Sequence, residues 1–170
     1  MNHLPVVAIT MGDASGIGPE IIVKALARPE IGSWANALVV GDAGRLREAA
    51  KITGAAVQVE SIADPDDARY VPGRINCLDV PVIPAGHPFG VVSPVSGDGA
   101  FLFVKKAVEL VLSGKAQAIC TAPLNKEALH AAGHMYPGHT EMLAHLTNTP
   151  EVSMMLTTPN LRVVHVTTHL

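Results

Sequence analysis

Apolar residues recur along this chain with two different periods. Short β-branched runs occupy 6–10, 37–41, 56–60, 75–80, 117–121, 152–157 and 161–167. They are mostly apolar on both faces, the pattern of buried strands. Helical patterns lie between several of them. One runs from Pro19 to Arg28, with Pro19 near the first helical position and Pro29 as its stop. A second covers 43–53 and stops at Gly54. The longest covers 99–112, where Phe101, Val104, Val108 and Val111 recur at helical spacing before Ser113 and Gly114. Two more cover 125–132, stopped by Gly133, and 140–146. Strand alternating with helix predicts an α/β fold with a mostly parallel sheet. Segment 80–97 breaks the rhythm: Pro81, Pro84, Pro88 and Pro94 predict a long ordered loop.

Composition narrows the class. The 170 residues are 48% hydrophobic and 16% charged, ample apolar mass for a packed core. Twelve basic against fifteen acidic residues leave a net charge of −3, which argues against a nucleic-acid partner. No apolar run approaches the roughly 18 to 20 residues that span a bilayer. The N-terminal MNHLPVVAIT lacks the basic start and long apolar core of a signal peptide. Cys77 and Cys120 each sit in an apolar stretch and are expected to be reduced core residues, which fits a cytoplasmic location. The chain stops as its last predicted strand ends, so it is either an unusually small protein or the front portion of a longer one.

Four segments could carry chemistry, and each begins at the carboxyl end of a strand or at a helix start, where open α/β sheets bind ligands. Gly12-Asp13-Ala14-Ser15-Gly16-Ile17-Gly18-Pro19-Glu20 follows a strand and opens a helix. It lacks the Gly-Lys-Ser/Thr of a P-loop and the third glycine of a dinucleotide fingerprint. By itself it is equally well a tight turn or an anion site. Thr121-Ala122-Pro123-Leu124-Asn125-Lys126 offers Lys126, either a solvated lysine or a candidate catalytic residue that makes a charge contact with substrate or supports proton transfer. Tyr136-Pro137-Gly138-His139-Thr140-Glu141 sets His139 and Thr140 at a helix start, where they could meet an anionic ligand or simply cap the helix. Thr167-Thr168-His169 ends the last strand. His165 and His169 face the same side but lie about 13 Å apart, too far to share one ion, so His169 is the better candidate ligand. His3, His87, His130, His134 and His145 receive no role.

Together, MGDASGIGPE, TAPLNKEAL, GHMYPGHTEMLAHLT and VVHVTTHL resemble, in order, the 4-hydroxythreonine-4-phosphate dehydrogenase (PdxA) family along essentially the whole chain. The first segment also resembles the start of isopropylmalate dehydrogenases, which share that fold. The family usually has Pro-Ala where this chain has Ala14-Ser15. The resemblance implies α/β/α layers of the isocitrate/isopropylmalate dehydrogenase type, in two domains. Here 1–133 would form most of the first domain and 134–170 the start of the second. It implies an NAD-dependent, divalent-metal-dependent oxidative decarboxylase (Zn²⁺, Mg²⁺, Co²⁺ or Mn²⁺) working as a homodimer with its site at the subunit interface. The substrate would be a small 4-phosphorylated hydroxy acid. Carried over residue by residue, His139 and Thr140 bind substrate and His169 binds the metal. The phrasing around 124–147 looks more like the branch that acts on 4-phosphorylated threonate or erythronate than the vitamin B6 branch. If the 170-residue chain were the complete product, the competing expectation is a non-catalytic binding or dimerisation module, since the resemblance implies three metal histidines and only one has a counterpart here.

Overall fold

The computed structural model describes residues 4–165. Five strands form one parallel sheet: β1 (Val6–Thr10), β2 (Asn36–Gly41), β3 (Gln58–Ile62), β4 (Arg74–Asp79) and β5 (Ala118–Thr121), in the order β3-β4-β2-β1-β5. The helices are α1 (Gly18–Leu26), α2 (Ala43–Thr53), α3 (Pro94–Leu112), α4 (Lys126–Ala131) and α5 (His139–Leu146). Single 3-10 turns sit at Pro29–Ser33 and Pro65–Asp67. The predicted parallel α/β fold is the one observed.

Handedness explains the layers. The steps β1→α1→β2 and β2→α2→β3 move one way along the sheet, whereas β4→α3→β5 moves the other way. Right-handed crossovers therefore place α1 and α2 on one face and α3 on the opposite face. The central strands are buried on both sides: Leu38, Val39 and Val40 in β2 are fully inaccessible, as is Phe103 of α3 above them.

Local chemistry sets the helix ends. Asp42 accepts the backbone N–H of Arg45 at the start of α2, and Gly54 ends it in the left-handed region at φ 67°. Asn125 accepts from the N–H of Ala128 at 3.0 Å and so starts α4. Asn125→Ala is expected to lower stability by about 1 kcal/mol in chemical denaturation.

Four sequence expectations need correction. Helix α3 starts at Pro94, not at 99, because Ser93 caps it and Pro94 takes the first turn. Gly97 lies in this first part of α3 for close packing: a Cβ there would run into the backbone of Ala128 and Leu129 on α4. Strand β3 begins at 58 rather than 56, since Gly54 and Ala55 are still closing α2, with Ala55 N–H on the Ala50 carbonyl. The runs at 152–157 and 161–167 give β6 (Met155–Thr157) and β7 (Arg162–Val164), an antiparallel pair apart from the main sheet. Their side chains are exposed, not buried: among the described residues the two strands pair only with each other. Cys77 is buried, and burial pushes its thiol pKa up. Cys120 is exposed, because β5 is an edge strand.

Candidate functional site

Strand β1 leads to a helix on one face of the sheet, while its neighbour β5 leads to α4, which packs on α3 at the other face. Such a divergence opens a crevice at the carboxyl ends of the two strands. The turns after β1 and β5 meet there. Asp13 N–H bonds the Pro123 carbonyl at 2.9 Å, and Ala122 N–H bonds the Thr10 carbonyl at 3.1 Å. Gly12 permits the approach: its φ is 70°, and a Cβ would collide with the Pro123 carbonyl and sit 2.9 Å from that of Ala122. The Thr10 hydroxyl, at the end of β1, is buried without a hydrogen-bond partner.

The β1–α1 turn is tied from within. Asp13 Oδ1 accepts the Ser15 N–H at 2.8 Å. Ser15 Oγ lies 2.7 Å from Ser96 Oγ, and His87 Nε2 lies 3.1 and 3.0 Å from the two hydroxyls. Ser15 Oγ donates to the Pro88 carbonyl. One arrangement satisfies every atom: His87 Nε2–H to Ser96, Ser96 to Ser15, Ser15 to Pro88. The buried Arg45 spends its guanidinium on the carbonyls of Ala14 and His87 at 2.6 and 2.8 Å and on Glu48, with Phe89 against its face at 3.2 Å. It is therefore a brace for the proline-rich segment and not a free anion receptor. Sequence inspection gave His87 no role, and no local pattern links positions 15, 87 and 96.

The predicted site residues fall as follows. Lys126 occupies the first turn of α4 and is exposed, with no ion pair among the described residues. His139 opens α5, directly after Gly138 at the cap position. Among the described residues its Nε2 is buried with no hydrogen-bond partner, and burial lowers its pKa, which favours the neutral ring. Thr140 beside it is exposed. Helices α4 and α5, which open with Lys126 and His139, are joined through the apolar cluster Val104, Leu129 and Met142. His169 lies outside the described residues. Among the described residues, no three His, Cys, Asp or Glu gather to hold a metal ion. Nor is any described helix long and apolar enough to cross a membrane. A second concavity of about 320 Å³, bordered by Ile31, Asn36, Tyr70 and Arg74, lies at the amino ends of β2 and β4. It is remote from the strand ends where this architecture places ligands.

The sequence profile of the pyridoxal phosphate biosynthetic protein PdxA family matches residues 33–170. This chain belongs to the PdxA family. Among relatives, it is 56% identical over 99% of its length to a D-threonate 4-phosphate dehydrogenase of Cupriavidus necator, covering 51% of that protein. It is 40% identical over 97% of its length to a 4-hydroxythreonine-4-phosphate dehydrogenase of Trichlorobacter lovleyi, covering 50% of it. The crystal structure of a 4-hydroxythreonine-4-phosphate dehydrogenase from Burkholderia phymatum superimposes with a TM-score of 0.96 at 57% identity, over 99% of this chain and 51% of that one. The chain thus spans about half the length of the PdxA relatives it matches.

Proposed function

We propose that this protein serves an NAD- and divalent-metal-dependent oxidation and decarboxylation of a 4-phosphorylated hydroxy acid, with 4-phospho-D-threonate or -erythronate favoured over 4-phosphohydroxy-L-threonine. The relatives' names support the reaction class. The branch preference rests on the Cupriavidus necator D-threonate relative, at 56% identity, standing above the Trichlorobacter lovleyi hydroxythreonine relative, at 40%, while the Burkholderia phymatum structure, at 57%, carries the hydroxythreonine name. The structural observation that carries the reading is the buried, unpartnered Nε2 of His139 at the start of α5.

A buried polar nitrogen without a partner is costly unless a ligand completes it. A substrate hydroxyl or phosphate oxygen reaching His139 does so. The Thr140 hydroxyl, exposed beside it at the same helix start, can give a second bond to the same group, with the helix N-terminus favouring its negative charge. Lys126 is free to add a charge contact with substrate. His169, with ligands from elsewhere, would hold a divalent ion whose charge would make the substrate hydroxyl easier to deprotonate, and NAD would accept the hydride. Loss of hydride and a proton would convert that hydroxyl to a ketone; the bond from the adjacent carbon to the carboxylate would then break, carbon dioxide leaving while the electron pair passes to the ketone oxygen as an enolate, which takes up a proton on carbon. The working unit is a cytoplasmic homodimer whose site lies between subunits.

The test is NADH formation at 340 nm by the full-length gene product. A divalent metal is supplied, and 4-phospho-D-threonate, 4-phospho-D-erythronate and 4-phosphohydroxy-L-threonine are compared. Faster turnover of the sugar acids is expected. A preference for the amine-bearing substrate would move the protein to the other branch, and no metal-dependent turnover of any of the three would sink the reading.

A further inference from the structure

Six residues without an assigned role surround the turn that carries His139. His130 Nε2 lies 2.9 Å from the Tyr136 carbonyl. A carbonyl only accepts, so this ring nitrogen carries its hydrogen and holds the Tyr136 backbone to α4. The Tyr136 ring lies parallel to Phe101 of α3, centroids 6.1 Å apart, and the His134 ring stacks on Phe101 at 3.9 Å. His134 Nε2 in turn reaches Asp98, near the start of α3, at 2.8 Å. The Tyr136 hydroxyl bonds Nδ1 of His145, two turns into α5. Tyr136 therefore touches α3 through its ring, α4 through its carbonyl and α5 through its hydroxyl.

Only Pro137 and Gly138 separate it from His139. Among the described residues the His139 Nε2 has no hydrogen bond to fix it, so its placement depends on where the helix begins. A staple from the residue before the cap to the helix body fixes the angle at which the chain enters a helix. The Tyr136–His145 bond serves the same end with a polar contact, from two residues before the cap Gly138 to the seventh residue of α5.

We propose that Tyr136 is a positioning residue for His139, acting through its hydroxyl bond to His145. The proposal rests on the functional reading above for its kinetic arm only. Tyr136→Phe keeps the ring on Phe101 and removes the bond; His145→Leu removes the other partner; His145→Asn returns a polar atom near the position of Nδ1. In the full-length enzyme, each single loss is expected to raise KM for the phosphorylated substrate about three- to tenfold, with kcat and KM for NAD held within about twofold. The double variant should be no worse than the single ones, because both remove one bond. His145→Asn should recover part of the loss. The Cε1–H resonance of His139, read by NMR, should move to the same place in both single variants and no further in the double. Additive effects, or an unmoved KM together with an unmoved His139 resonance, would overturn the proposal. So would a fall in Tm with KM and the resonance unchanged. If no phosphorylated acid is turned over by the parent enzyme, it is the functional reading that fails, and the resonance alone then decides the role of Tyr136.

Discussion

Gly12→Ala is expected to lower the unfolding free energy by about 2–5 kcal/mol, a large share of the total for a domain of this size. Two separate costs add. The residue sits at φ 70°, where a side chain strains the backbone. Its Cβ would also drive into the carbonyls of Pro123 and Ala122, which belong to the adjoining turn and are main chain, so no rotamer change relieves the overlap. The two costs can be told apart. Gly54 has nearly the same φ, 67°, yet a Cβ there meets nothing within 4 Å. Gly54→Ala should therefore cost only the backbone term, about 1 kcal/mol. Urea denaturation of both variants measures the difference. Equal losses would mean that the β1 and β5 turns separate freely, and that their contact does not define the crevice.

The same turn shows where sequence reasoning succeeds and stops. Strand β1 and helix α2 have the bounds that periodicity predicts, because both are set by local signals: a β-branched run in one, and Asp42 with Gly54 in the other. The start of α3 was hidden because Gly97 and Gly99 carry two meanings. Glycine marks loops, but here it admits the α4 backbone and the Ile83 side chain. The exposure of β6 and β7 was equally hidden, since apolar runs do not say whether anything covers them. The turn and helix start that hold His139 and Thr140 were legible from Pro137 and Gly138, and their binding role is what the family resemblance implies. The Ser15–His87–Ser96 cluster was not, since its members come from three elements and meet only when the proline-rich segment folds over the β1–α1 turn. Nor was the tie between Tyr136 and His145, which requires the curl of α5 to return His145 to the turn before it.

His139→Ala is expected to raise KM for the phosphorylated substrate by about 10- to 100-fold, the range of one hydrogen bond to a charged group, with a smaller effect on kcat. An unchanged KM would remove His139 from the substrate site. Its protonation gives a second readout. Burial holds the folded imidazole below its ordinary value of 6.5. Between the lowered folded pKa and 6.5 the unfolded chain binds more protons than the folded one. Stability therefore rises with pH through that window and is lost as pH falls below 6.5. An anionic oxygen placed on Nε2 reverses the trend, because it favours the charged ring and raises the bound-state pKa. Substrate binding near pH 6 should then take up a proton. Calorimetric titrations in two buffers of different ionisation enthalpy measure that uptake, and His139→Gln, which cannot titrate, should abolish this contribution. Equal uptake by the glutamine variant would assign the proton to another group and leave His139 a neutral partner. In that case the ring would pair with a substrate hydroxyl instead of the phosphate or carboxylate, because only an anion shifts its titration upward.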